Sequence, residues 1–149
     1  MKIYTLGYSG WRIEEVEALL EKLGAILVDV RMVPRTRWMP LWNAAALHAR
    51  LGDRYAWLKE FGNRNYRGTF EQIEIADFKL GIKRLHELTG LPFQGGKNVV
   101  LMCACRDVNV CHRKVLAERL AQEWGAEVVH IPTPPKVKPE PAGHTKKLF

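Results

Sequence analysis

NVVLMCACRDVNVCHRKVLAERLAQEWG, residues 98–125, opens on a near-continuous apolar run, crosses a polar loop and enters a segment with apolar residues at helical spacing. The run NVVLMC (98–103) has the pattern of a strand buried on both faces, which belongs in a parallel sheet covered by helices. After it, Leu116, Leu120 and Trp124 recur at i, i+4 and i+8, with Gly125 as a stop, so 107–125 reads as a helix beginning at Asp107 or Asn109. EVVHI (127–131) supplies the strand that follows. A buried strand, a crossover helix and another strand make a parallel βαβ unit.

The same alternation runs back to the N-terminus. KIYTL (2–6) is a short β-rich run ending at Gly7, and in IEEVEALLEKL (13–23) Ile13, Val16, Leu19, Leu20 and Leu23 recur at helical spacing, with Glu14 and Glu15 at the dipole's positive end and Gly24 as the stop. AILVDV (25–30) is a second doubly buried strand, and NAAALHARLG (43–52) is a short helix with Asn43 as N-cap and Gly52 as terminator. YAWL (55–58) reads as a strand, 62–69 as a Gly/Asn/Arg-rich loop, and about 71–89 as a helix carrying Ile75, Phe78, Ile82 and Leu85 and ending at Gly90. The predicted fold is α/β: a three-layer α/β/α domain with a mostly parallel sheet of about five strands, Rossmann-like or rhodanese-like in general layout.

Composition fits one such domain. The 149 residues are 47% hydrophobic and 26% charged, which excludes a chain too polar to fold and a disulfide-stapled scaffold. There is no apolar run long enough to span a bilayer and no leader-like N-terminus, so a cytoplasmic location with no membrane partner is expected. The net charge of +7 favours anionic partners. Its placement qualifies that: 132–149, PTPPKVKPEPAGHTKKLF, holds four Lys against one Glu and leaves +4 for the domain at 1–131. This Pro/Lys-rich tail is expected to be flexible, either a solvated end or a basic arm for a polyanion.

In parallel sheets function collects where strands end and helices begin. Cys111, His112 and Arg113 stand in the expected first turn of the last helix, where unpaired amides and the positive dipole lower a thiol pKa and attract anions. Cys103 ends the strand before them, as a reactive thiol or as ordinary core. The spacing C-x-C-x5-C-H from Cys103 to His112 also admits a metal or an oxidisable pair, but all four groups come from ten residues, and neighbouring Cys111 and His112 belong to different faces of a helix. Accordingly no metal and no cofactor is expected.

Asp29 and Arg31 lie two apart on a strand and so face one side, forming an internal ion pair or an anion site. Arg31, Arg35 and Arg37 with Trp38 and Trp42 make a basic aromatic stretch that suits nucleic acid, while the two rings equally suit covering the sheet or lining a homodimer contact.

Thr5-Leu6-Gly7-Tyr8-Ser9, Asp29-Val30-Arg31 with Pro34-Arg35, Asn43, and Cys103-Ala104 with Cys111-His112-Arg113 and VVHI together resemble the DUF488 family, a family of unknown function, over 2–131. The resemblance implies a small α/β domain with Ser9, Asp29, Arg31, Pro34, Cys103, Cys111, His112 and Arg113 as motif positions; Tyr8 replaces the common His and Cys105 the common Glu. The layout is also similar to that of rhodanese-like sulfurtransferases and Cys phosphatases, although their Cys-to-Arg loop is much shorter than 103–113. Two functions follow. One is an enzyme or sensor for a small anionic, phosphate- or sulfate-like or nucleotide-like ligand, with Cys103, Cys111, His112 and Asp29 as catalytic candidates and Ser9, Arg31, Arg35 and Arg113 as binding candidates. The other is a nucleic-acid-binding module using 31–42 and the tail.

Overall fold

The computed structural model describes residues 1–68 and 72–135. The greater part of the expected flexible tail, 136–149, lies outside the described residues. Five strands form one parallel sheet: β1 (Lys2–Gly7), β2 (Ala25–Asp29), β3 (Tyr55–Trp57), β4 (Asn98–Cys103) and β5 (Glu127–His130), in the order β3-β2-β4-β1-β5. With four helices this is the α/β fold that the alternation predicts. No helix among the described residues is long and apolar enough to cross a membrane.

The sheet buries both faces, as its apolar runs require. Side chains alternate along a strand, so Val99, Leu101 and Cys103 of β4 join Ile26 and Val28 of β2 on one face. There they pack under α3 (Phe78–Thr89) and α4 (His112–Trp124) through Leu85, Leu116, Ala117 and Leu120. Val100 and Met102, with Ala25 and Leu27, face the other way, under Ile13, Val16 and Leu20 of α1 (Ile13–Leu23) and Leu47 and Leu51 of α2 (Ala44–Leu51).

Three expectations about helix starts are corrected. Helix α3 begins at Phe78, because the Asp77 side chain accepts from Leu80 N and because Ile75 pairs as an isolated antiparallel bridge with Asn63 instead of continuing the helical stripe. Asn43 precedes α2 without capping it: its Oδ1 accepts from Thr36 N at 2.6 Å, tying down the 31–42 loop. In the third, Asp107 caps a single turn at Val108–Val110, and α4 starts only at His112 with Cys111 as its N-cap residue.

The chain leaves β2 toward β3 at one edge and leaves β4 toward β5 at the other. The carboxyl ends of β2 and β4 are therefore neighbours whose connections diverge, the position where a parallel sheet opens a crevice.

Candidate functional site

That crevice is a cavity of about 340 Å³ walled by Arg31, Met32 and Val33 after β2, by Cys103, Ala104, Cys105, Val110 and His112 around β4 and α4, and by Asn63, Tyr66, Gly68 and Ile73. Its volume suits a small ligand. Two polar constellations meet at its rim, one from each face of the sheet.

On the α1/α2 side, Asp29 is wholly buried and fully partnered. Arg31 grips it in a fork, Nε to Oδ1 at 2.8 Å and Nη2 to Oδ2 at 2.6 Å, and Tyr55 Oη donates to Oδ2 at 2.6 Å. Burial works against the Arg31 charge, but the hydrogen bonds and the charge of Asp29 outweigh it and hold the guanidinium above its ordinary pKa. Tyr55 is pushed up by burial first and by the Asp29 charge next, so it remains a phenol donor. Arg31 Nη2 also reaches the Trp42 carbonyl at 2.6 Å. Its Nη1 makes no hydrogen bond among the described residues, and the residue lines the cavity. Tyr8 stacks on the buried Trp42 ring with centroids 4.7 Å apart, beneath Arg31.

Across the rim, Cys103 Sγ, Cys111 Sγ and a ring nitrogen of His112 lie within 4.8 Å of one another, all three residues buried. The expectation that adjacent Cys111 and His112 diverge is thus overturned. Cys111 has extended backbone, φ −112° and ψ 139°, and sits just outside the helix, so helical spacing does not govern where its sulfur points. His112 Nε2 lies 2.7 Å from the Val30 carbonyl oxygen, which can only accept; Nε2 therefore carries the proton, and the Nδ1 lone pair faces Cys103 Sγ at 3.8 Å.

The three thiols perturb one another. Cys111 is held below an ordinary thiol, first by the neighbouring Cys103 and then by Cys105, with His112 and the Arg113 amide adding to the effect against burial. Cys105 beside it draws Cys103 down, but Cys111 and the burial of its sulfur push Cys103 up to about 12. Cys105 is raised further still by the same two neighbours and by burial. The most acidic sulfur, Cys111, is thus behind the cavity wall, with Cys103 and Cys105 in front of it.

Arg113 does not line the cavity. It is 2% exposed and braces the floor, Nη1 donating to the Cys105 carbonyl at 2.6 Å and Nε to Thr5 Oγ1 at 3.4 Å. Gly7 permits this, since a Cβ there would overlap the Cys105 carbonyl oxygen. Ser9 also lies off the cavity, its amide 3.4 Å from the Ala104 carbonyl, and the exposed Arg35 borders a separate shallow hollow. Of the candidates, the structure thus gathers Arg31, Cys103 and His112 at the cavity with Cys111 behind, and sets Asp29, Arg113, Ser9 and Arg35 apart.

The residues match a model of the domain of unknown function DUF488 from 12 to 120, most of the domain. The chain belongs to the DUF488 family. The match takes in Asp29, Arg31, Cys103, Cys111, His112 and Arg113, whereas Thr5 to Ser9 and the VVHI strand lie outside it. No curated protein and no solved structure matches the chain.

The site of this DUF488 protein contains one residue that its sequence does not announce. Asn63 is 8% exposed, and its Oδ1 accepts from the amides of Asn65 and Glu74 at 3.0 and 2.9 Å. Those two donors fix the orientation of the amide, and Nδ2 is the group left for the cavity that Asn63 lines. Only its place in an Asn/Gly-rich loop hints at such a role.

Proposed function

We propose that this DUF488 protein is an enzyme or sensor for a small anionic or nucleotide-like ligand, bound in the cavity between β2 and β4 and acted on by the Cys–His cluster. One observation carries the reading. The polar side chains that line the cavity are those of Arg31, Asn63, Tyr66, Cys103, Cys105 and His112, and no carboxylate lines it among the described residues. A wall of that composition in a half-enclosed, mostly apolar space favours negative charge over neutral or cationic ligands. Cys103 is the sulfur of the buried pair that lines the cavity, and His112 Nδ1 stands 3.8 Å from it as the nearest acid–base group.

Site-resolved alkylation of the metal-free protein tests it. Iodoacetamide should modify Cys103 or Cys105 ahead of Cys111, and saturating phosphate, sulfate or a nucleoside monophosphate should slow that reaction several-fold. Equal rates at all three thiols, unchanged by every anion tried, would remove the proposal.

Nucleic-acid contact stands as a second reading because Trp38 is 84% exposed between the exposed Arg37 and Met39, with Arg35 close by. Trp42 and Arg31 are taken up inside the fold, so contact rests on Arg35, Arg37, Trp38 and the basic tail. Salt-sensitive binding of single-stranded oligonucleotides, weakened by Trp38→Ala and by removal of 132–149, is the expected result; no binding at low salt would end this reading.

A further inference from the structure

We infer that Cys103, Cys111 and His112 form a binding site for a thiophilic divalent cation of the zinc class, with its fourth coordination position open to the cavity. The inference rests on the reading of that cavity as the ligand site and adds a cofactor to it. Tetrahedral zinc, with bonds of about 2.3 Å to sulfur and 2.0–2.1 Å to nitrogen, sets its ligand atoms roughly 3.5–3.8 Å apart. Cys103 Sγ and His112 Nδ1 are already at 3.8 Å, and the whole trio lies within 4.8 Å. Small side-chain rotations close the difference.

The imidazole is prepared for this role. Its Nε2–H is committed to the Val30 carbonyl at 2.7 Å, which orients the ring and leaves the Nδ1 lone pair toward the two sulfurs. A metal-bound histidine is held by just such an outer hydrogen bond. The ligands come from parts of the chain that the fold fixes rigidly. Cys103 ends the central strand, His112 opens α4, and Cys111 is locked between them by the Asp107-capped turn. Soft thiolates with one imidazole select zinc, or cobalt in its place, over magnesium or calcium.

A structural zinc site is closed by four protein ligands, whereas three leave a position for substrate or water. Here Cys103 and His112 line the cavity, and Arg31 lines it too. Two thiolates and a neutral imidazole around a divalent cation have no net charge, so an anion entering the fourth position meets no repulsion from the site. On binding, each sulfur exchanges its bond to hydrogen for a bond to the metal and its proton leaves to buffer; no electron is transferred.

Full-length protein, reduced and stripped with a chelator, should take up one Zn(II) or Co(II). The cobalt form should show thiolate-to-metal charge transfer and the intense visible bands of tetrahedral Co(II), and zinc should displace it. Cys111→Ala and His112→Ala should each weaken Zn(II) binding by more than the about 10–100-fold that loss of an outer-shell partner costs, and Cys105→Ala should leave it within a few-fold. Because the core variants can fold poorly, chelator-reversible bands in the unaltered protein are a second readout. Six-coordinate cobalt spectra, a Cys103–Cys111 disulfide with no metal uptake under reducing conditions, or dependence on Cys105 instead of Cys111 would each overturn the site. If metal fails to bind while anions still protect Cys103 in the metal-free protein, the cofactor falls and the ligand cavity stands; metal uptake without anion protection is the reverse case.

Discussion

Two polar constellations stand at the same rim of the sheet, carried there by strands that are direct neighbours, and they are partnered in opposite ways. On the α1/α2 side, Asp29 accepts from Arg31 and from Tyr55, and only Arg31 Nη1 is left over among the described residues. On the α3/α4 side, two buried thiols and an imidazole lie within 4.8 Å of one another, and the contact between Cys103 Sγ and His112 Nδ1 is long, at 3.8 Å. A carboxylate buried with a full set of partners holds a loop; a thiol needs no such set to be buried, so its place beside an imidazole is what sets Cys103 apart. The contrast separates architecture from chemistry among residues that look alike as motif positions.

The hardest way to break the comparison is to unbalance the satisfied side. Asp29→Asn leaves the Arg31 guanidinium, 6% exposed, without its counter-charge, and removal of one partner from a buried pair costs about 3–5 kcal/mol. Urea unfolding followed by tryptophan fluorescence should show a loss of that size. In the fraction still folded, Cys103 alkylation should keep its rate while protection by anions disappears, because Arg31 loses its alignment and the thiols do not. A stability change below about 1 kcal/mol would mean that Asp29 is not the structural anchor.

Gly7→Ala tests the floor beneath both constellations. The added methyl meets the Cys105 carbonyl that Arg113 grips, and overpacking of this kind costs about 1–3 kcal/mol. The Cys105 loop should move away from β1 and the relative labelling rates of Cys103 and Cys105 should change. Unaltered rates in a folded variant would show that the loop does not depend on the Arg113 brace.

Legibility in the sequence follows which forces are local. AILVDV and NVVLMC announce doubly buried strands because burial on both faces leaves no polar alternation, and Gly24, Gly90 and Gly125 mark helix ends because each occupies the left-handed region. Spacing two apart puts Asp29 and Arg31 on one side as an ion pair or an anion site, and only the fold, with Arg31 just past the end of β2, decides for the pair. The cluster is hidden, since helical spacing separates Cys111 from His112, and only the turn at Val108–Val110 places Cys111 outside the helix. Asn63 is invisible for a different reason: its role depends on Glu74, eleven residues away, supplying an amide to its side chain. Asn43 has the sequence of an N-cap, yet Thr36 takes its oxygen.

The smallest expected effect concerns a third polar group, which bridges the other two in kind. His130 Nδ1 lies 2.6 Å from Thr5 Oγ1, and the same hydroxyl accepts from Arg113 Nε at 3.4 Å. Burial first, and then the Arg113 charge, hold the His130 pKa below its ordinary value, with Lys114 acting in the same direction and Glu118 and Cys111 against. A histidine whose folded pKa is depressed takes up its proton more readily in the unfolded chain. Its contribution is therefore complete above the unfolded value of about 6.5 and is lost as pH falls from there toward the folded value. Urea midpoints measured across that window should decline with acidification, and His130→Asn should flatten the decline without changing metal uptake or thiol labelling. If the variant keeps the full acid sensitivity, the group that titrates in this window is not His130.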